Sequence, residues 1–468
     1  MRVNIDQSLN DAGAAELARA IKAGAFSVVE VVAAHIERIG QVNPQLNAVV
    51  IPMFESARRE AEAADELIAR DGTENLPPLF GVPVTVKDCW PVEGERFTGG
   101  SWFHRNDIAE SDATVVTRLR EAGAIILGKT NLPDMCWGFE SVNPVFGRTS
   151  NARSSRHSAG GSSGGEGAII TAGGSALGIG SDIGGSVRNP AAINGCVSLK
   201  PSAGRLPTTG HVPEVAEALR GWNVAGPLAR RVEDLRLALS VLGDKPVGPT
   251  PAISGLKCTT YIRNGLFPVK RIIAETVLMA AGALEAAGMD VQRDDSLPID
   301  RLGFVYNYLL NECGSGIREG LGGGEGYSTI REFARGVIGK AHISREALAV
   351  ESYIRLGGPL GRLRGDCSFE RLEQYKAQLY EAIGDGVLLL PLLLTKPPKH
   401  GGTWAPLSQI PYATPFNATG MPAAIVPVRW TNDGLPLAVQ VAAREGGDEL
   451  VLAVALELER AFGGWRPV

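Results

Sequence analysis

Two glycine-flanked serine clusters follow one another in the middle of the chain. Gly160-Gly161-Ser162-Ser163-Gly164-Gly165 comes first, and Asp182-Ile183-Gly184-Gly185-Ser186 second. Glycine permits backbone conformations and close approaches that other residues do not. Serine hydroxyls and backbone N–H groups can therefore converge there on a substrate, an arrangement suited to nucleophilic attack on a carbonyl. The first cluster formally contains G-x-S-x-G, a turn that presents a nucleophilic serine when it follows an apolar strand. Residues 148–159 read RTSNARSSRHSA, polar and irregular, which speaks against that turn.

A reacting serine needs a base. The six histidines stand at 35, 104, 157, 211, 342 and 400. His35 falls within an amphipathic helix pattern, His157 in a polar loop near Ser162, and His400 in a Pro-Lys-His-Gly loop. No later Asp-then-His pair marks a serine–histidine triad. Lys87 is the alternative base. It ends an apolar strand pattern and precedes Asp88. An isolated strand-end lysine ordinarily reaches solvent. A lysine amine can nevertheless act as a base where burial or a neighbouring cation lowers its pKa from about 10.4, and serine–lysine catalysis is a known variant of triad logic.

The elements that must position these groups show as periodicities. Ser27-Val28-Val29-Glu30 has the S-x-x-E form of a capping box. Val28, Val32, Ile36 and Ile39 then fall on one helix face. Residues 81–87, GVPVTVK, alternate: Val82, Val84 and Val86 face one way, and Pro83, Thr85 and Lys87 the other. Asp112 can cap a helix running to about Ala122, and residues 124–127 read as a short buried strand. Residues 276–288 are helical in pattern and exit into a strand. Asp448 opens a helix with Val451, Val454, Leu458 and Phe462 on one face. The mixture implies an α/β fold, one sheet with helices on its faces. Residues 257–385 are rich in charge and helical pattern and read as a helical elaboration of the same domain, with a glycine run at 322–324.

Composition narrows the classes of partner. The 468 residues carry a net charge of −5, with 44% apolar and 21% charged residues, the profile of a globular protein. No block of lysine and arginine suggests nucleic acid. The six cysteines, at 89, 136, 196, 258, 313 and 367, form no C-x-x-C pair, so spacing indicates neither a zinc motif nor a redox motif. Sparse cysteines fit a reducing cytoplasm with free, mostly buried thiols. The start, MRVNIDQSLNDAG, has no apolar signal-peptide core. The run VLLLPLLL at 387–394 is far short of the ~20 residues of a membrane helix and reads as a buried strand with a proline bend. Small molecules are the expected partners; no nucleic acid, membrane span, cofactor or metal is expected, and a homodimer stays open.

Several segments together resemble the amidase signature family: GVPVTVKD (81–88), GKTNLPD (128–134), NPVFGRTSN (143–151), GGSSGGEGA (160–168), GSDIGGSVRNPAA (180–192) and GCVSLKPSAGRLPTTG (195–210). The likeness is dense from about 80 to 210 and looser at both ends, where FNATGMPAAIVP (416–427) also fits. It implies a single large domain over 1–468, with a central mixed β-sheet flanked by helices on both faces. By this resemblance Ser186 is the nucleophile, Lys87 the general base, and Ser162 the relay serine preceded by a cis peptide bond. Lys87 takes a proton from Ser162 while Ser162 takes one from Ser186, which forms an acyl-enzyme. The backbone N–H groups of Ile183, Gly184, Gly185 and Ser186 are the expected oxyanion donors. Ser163, Asp182 and Arg188 flank the serines, either orienting them or making ordinary loop bonds.

Met135, Cys136 and Trp137 match the segment that lines the substrate channel in related enzymes, with ordinary core packing as the alternative. One departure stands out. Relatives often carry Pro-Trp after the asparagine at 151, where this chain has Ala152-Arg153, a change that bears on the pocket wall. The Gly178-Ile-Gly180 pair lacks the third glycine of a dinucleotide loop. GGSSGGEGA, with Glu166, resembles the branch that hydrolyses fatty-acid amides and aryl-acylamides, so a stand-alone hydrolase of small apolar or aromatic linear amides is the leading expectation. The alternatives are the glutaminase subunit of a tRNA-dependent amidotransferase and a silent binding protein of the same fold.

Overall fold

The computed structural model describes residues 5–262, 268–313, 319–324, 327–338, 340–364, 367–402 and 410–468. Residues 1–4 of the N-terminal stretch and part of 257–385 lie outside them. Eleven strands form one mixed sheet. In chain order they are β1 (Val49–Pro52), β2 (Pro83–Lys87), β3 (Ile125–Thr130), β4 (Leu177–Asp182), β5 (Val197–Lys200), β6 (Val224–Ala229), β7 (Lys257–Thr260), β8 (Asp290–Arg293), β9 (Val387–Leu390), β10 (Ala423–Trp430) and β11 (Pro436–Ala442). Across the sheet the order is β1-β3-β2-β4-β6-β5-β10-β11-β9-β7-β8. β2 runs parallel to both β3 and β4, and the centre from β4 to β9 is antiparallel. The protein is thus a single α/β domain with helices against its sheet.

The local readings translate into structure with instructive shifts. Helix Val28–Leu46 starts at a complete capping box: Glu30 N–H donates to Ser27 Oγ at 3.1 Å and Ser27 N–H to Glu30 Oε2 at 2.8 Å. Val28, Val32, Ile36 and Ile39 are all buried. Every residue of β2 is buried, Thr85 and Lys87 included. Neighbours on both edges and layers on both faces leave even its polar side no solvent, as in parallel sheets generally.

Asp112 does not cap the helix after it. That helix is Thr114–Glu121 with Ala113 at its N-cap. The Asp112 carboxylate instead accepts from Glu93 N–H at 2.7 Å and pairs with Arg120 at 3.0 Å. Asp448 does stand first in helix Asp448–Phe462, and its carboxylate reaches outward to accept from Ser202 N–H and Oγ at 2.8 and 2.5 Å. The apolar run at 387–394 opens as the buried strand β9 and leaves it at Pro391. Among the described residues no helix is long and apolar enough to cross a membrane.

The stretch 257–385 contributes helices Arg271–Ala286, Ile299–Cys313, Thr329–Val337, Arg345–Arg364 and Phe369–Ile383, and also β7 and β8 at one edge of the sheet. With Tyr306, Leu310 and Ile354 it supplies much of a second apolar core, which Leu388 and Phe416 complete from later in the chain, separate from the main core around β2, β3 and β4. This second core includes Met135 and Trp137, and Ile183, the residue after β4, packs against it.

The capping box is open to direct test. Ser27→Ala is expected to lower stability by about 1 kcal/mol, read from the urea denaturation midpoint. An unchanged midpoint would show that packing of the apolar face alone fixes the helix start.

Candidate active site

Lys87 closes β2, and Asp182 closes the neighbouring parallel strand β4. The site therefore lies at the carboxyl ends of adjacent strands, where open α/β sheets gather ligands. The first serine cluster runs into helix Gly164–Thr171 with Ser163 at its N-cap, and the second leads into the short helix Arg188–Asn194. The Gly161–Ser162 peptide bond is cis. Glycine is needed at 161 for space: a Cβ there would lie 2.6 Å from the Gly138 carbonyl oxygen and 2.9 Å from Glu140 N. At Gly185 φ is +108°, a conformation that side-chain-bearing residues avoid.

Lys87 Nζ stands 2.6 Å from Ser162 Oγ and 2.9 Å from Ser181 Oγ. Lys87, Ser162 and Ser181 are all buried, and Ser186 is 7% exposed. Among the described residues Lys87 pairs with no carboxylate. The adjacent Asp88 is turned to Lys129, at 2.6 Å, and to Thr98 Oγ1, at 2.5 Å. Both partners of the buried amine are hydroxyls. The two serine loops are joined by Ser163 N–H, which donates to the Ser186 carbonyl at 3.0 Å, and Ser163 Oγ reaches the Ser181 carbonyl at 3.4 Å. Ser163 thus holds one cluster against the other.

Asp182 and Arg188 form the frame of the second loop. Arg188 donates through Nε and Nη2 to the two Asp182 oxygens at 3.0 and 2.9 Å. It also donates to the Ala413 carbonyl, to Gln440 Oε1 and to Asn417 Oδ1 at 2.9, 2.8 and 2.7 Å. Asn417 Nδ2 returns to Asp182 Oδ1 at 2.9 Å. Burial by itself raises the Asp182 pKa, but the Arg188 charge and these hydrogen bonds outweigh it and hold the carboxyl well below the usual carboxylate range. Gly185 N–H donates to Asp182 Oδ1 at 2.7 Å. It is spent on the frame, so the expected oxyanion donors narrow to Ile183, Gly184 and Ser186.

A second buried carboxyl lies beneath the lysine. Glu166, in the first turn of helix Gly164–Thr171, accepts from Thr85 Oγ1 at 2.6 Å and Thr130 Oγ1 at 2.8 Å. Burial pushes it up to about 8, against the pull of those hydroxyls and of Lys87. The six histidines take no part in this cluster. His35, His104, His157, His211, His342 and His400 bond respectively to Val31, Asp107, Ser154, Pro213, Arg335 and Glu140.

Ser186 opens onto a cavity of about 40 Å³, walled by Cys136, Trp137, Phe139, Ile183, Tyr306, Leu310, Val350 and Ile354 among others. Cys136 and Trp137 are thus wall residues. Met135 is not: it packs in the second core, with its sulfur beside Gly99 and its methyl beside Gly320. Ala152-Arg153 also lies away from the wall, because the Arg153 guanidinium sits 4.1 Å over the Trp430 ring and donates to the Asn194 carbonyl. Sequence reasoning missed Ser181, Asn417 and Gln440. Ser181 carried one usable signal, its place in the same GSDIGGS segment as Ser186.

A family model described as Amidase matches residues 30–452. Fatty-acid amide hydrolase 2 of Homo sapiens is 32% identical over 489 residues, covering 96% of this chain and 89% of its own length. Indoleacetamide hydrolase of Bradyrhizobium diazoefficiens is 31% identical, covering 96% and 86%. A solved structure of 6-aminohexanoate cyclic dimer hydrolase complexed with substrate superposes with a TM-score of 0.79 at 28% identity, covering 98% of both chains.

The frame around Asp182 generates a pH prediction. A carboxyl held below its unfolded pKa stabilises the fold fully above about pH 4, and that contribution is lost as pH falls further. Asp182→Asn, which leaves Arg188 buried without its counter-charge, is expected to cost about 3–5 kcal/mol at pH 7. The gap from the unaltered protein should narrow below about pH 4. Denaturation series at pH 7 and pH 3 measure it; an equal gap at both would mean the carboxylate charge is not what holds the loop.

Proposed function

This chain belongs to the amidase family and is a hydrolase of carbon–nitrogen amide bonds, and from that premise we propose that it cleaves small linear amides with apolar or aromatic acyl groups through Ser186, Ser162 and Lys87. The observation that carries the catalytic part is the buried 2.6 Å contact between Lys87 Nζ and Ser162 Oγ. In this reading Lys87 acts as a neutral amine. Its lone pair takes the Ser162 proton, one of its N–H groups stays on Ser181, and Ser162 takes the proton of Ser186 as Ser186 Oγ attacks the substrate carbonyl. The oxyanion is met by backbone N–H groups of Ile183, Gly184 and Ser186, each such donor being worth about 10²–10³ in rate. Collapse of the tetrahedral intermediate expels the amine, which receives the proton back through Ser162. An acyl group is left on Ser186 for water to release.

The substrate part rests on the cavity wall. Trp137, Phe139, Ile183, Leu310, Val350 and Ile354 present apolar surface next to Ser186. Two relatives are named for a fatty-acid amide and for indoleacetamide, whose acyl parts suit such a surface. At about 40 Å³ the cavity is small against the roughly 300–1,000 Å³ of ligand pockets, so an acyl chain must displace wall side chains to enter. Residues of helices Ile299–Cys313 and Arg345–Arg364 supply part of that wall, which makes the 257–385 region a determinant of acyl selectivity.

Two experiments test the reading. Lys87→Ala and Ser186→Ala are each expected to lower kcat/KM on a good amide substrate by about 10⁴-fold or more; near-normal turnover in either variant would sink the assignment. Leu310→Ala, which enlarges the cavity, should shift kcat/KM toward bulkier acyl groups on a panel of amides that includes glutamine. Preference for glutamine, with no response to acyl size, would favour the glutaminase reading instead.

A further inference from the structure

Folding brings together three side chains whose spacing in the chain gives no hint of it. Cys89, two residues past Lys87, Cys136 in the wall of the substrate cavity, and His211 after β5 each offer a donor atom, and these atoms all lie within 4.8 Å of one another. All three residues are buried. They are the one group among the described residues with three His, Cys, Asp or Glu donors so disposed. Outside the trio, Cys89 Sγ lies 3.5 Å from Ser181 Oγ, and Cys136 Sγ lies 3.8 Å from the Val212 carbonyl.

The histidine is poised as a ligand. Its Nδ1 lies 3.0 Å from the Pro213 carbonyl and 3.2 Å from Asn223 Nδ2, and the tautomer that donates to Pro213 leaves the lone pair on Nε2. That Nε2 is buried and finds no hydrogen-bond partner. Metal-bound histidines are characteristically fixed in this way, the second nitrogen donating to a backbone carbonyl. The ring is held further by Trp90, whose indole meets it edge-on at 4.8 Å.

We propose that Cys89, Cys136 and His211 form a binding site for a thiophilic divalent cation of the zinc class. Two thiolates and an imidazole make a recognised zinc ligand set that leaves a fourth position open. An ion about 2.3 Å from sulfur in tetrahedral geometry sets its ligands roughly 3.8 Å apart. The three donors therefore need to draw in by about 1 Å at most. Binding forms two metal–sulfur bonds and one metal–nitrogen bond and releases the two thiol protons to solvent; no redox change is involved. Entry is provided by Cys136, which lines both this cluster and the cavity beside Ser186. Ser181 links the cluster to the active site, touching Cys89 on one side and Lys87 on the other.

The test is a titration of the full-length protein, stripped of metal and kept in a non-chelating reductant, with Co²⁺. The expected result is a thiolate-to-cobalt charge-transfer absorption that saturates at one ion per chain and is displaced by Zn²⁺. The band should be lost in Cys136→Ala. In His211→Gln, Co²⁺ affinity should fall by about tenfold or more, which provides a second reading should the first variant fold poorly. A Cys313→Ser/Cys367→Ser variant, altering the two less buried cysteines, should keep the band. Absence of the band in the unaltered protein, its persistence at full affinity in both site variants, or a Cys89–Cys136 disulfide in place of metal binding would overturn the proposal. The readout is independent of amide turnover, so it stands or falls separately from the catalytic reading.

Discussion

The loop that bears Ser186, the proposed nucleophile, hangs on the buried pair between Arg188 and Asp182. An arginine taken wholly out of water must have its charge and its donors met, or it costs several kcal/mol. Here Arg188 meets Asp182 through two parallel bonds and reaches Ala413, Asn417 and Gln440 as well. These partners come from β4, from the two short helices Ile410–Ala413 and Pro415–Ala418, and from β11. One side chain therefore fixes the loop bearing Ser186 against elements more than two hundred residues away. Asp182 passes the constraint on by accepting Gly185 N–H, which sets the turn on which Ser186 sits.

The lysine side of the site is built by a different logic. β2 is buried on both faces, so the polar face marked by its alternation has nowhere to go but inward. Thr85 spends itself on Glu166, and Lys87 on two serine hydroxyls. Buried polar networks of this kind are tolerated only when their members are satisfied, which explains why hydroxyls crowd the ends of β2, β3 and β4. The second core, contributed largely by the 257–385 region, then closes an apolar wall over the opening beside Ser186. Part of the apolar wall, Tyr306, Leu310, Val350 and Ile354, comes from a different stretch of chain than the polar cluster, so under the proposed function acyl preference can change while the cluster is kept.

Much of this was legible in the sequence because it is local. The capping box at Ser27, the alternation of β2 and the glycines around Ser162 and Ser186 each encode their structure within a few residues. The departures are equally physical. Asp112 has the right chemistry for a cap but a better partner in Arg120. Gly185 has a free approach but an N–H already taken by Asp182. Met135 belongs to a wall segment yet turns into the second core. What no local pattern carries is convergence across the sheet. Ser181 beside Lys87, Asn417 and Gln440 on Arg188, and His211 beside Cys89 and Cys136 are meetings made by strand order, and strand order is not written in spacing.

The central claim is that Ser186, and not the more conspicuous Ser162, carries the acyl group. Trapping settles it most directly: react the protein with a slowly released acyl substrate or a serine-directed fluorophosphonate, then locate the adduct by peptide mass spectrometry. The account predicts a single adduct per chain, on Ser186, formed far more slowly in Lys87→Ala. An adduct on Ser162, or labelling of Ser186 at the same rate without Lys87, would contradict it.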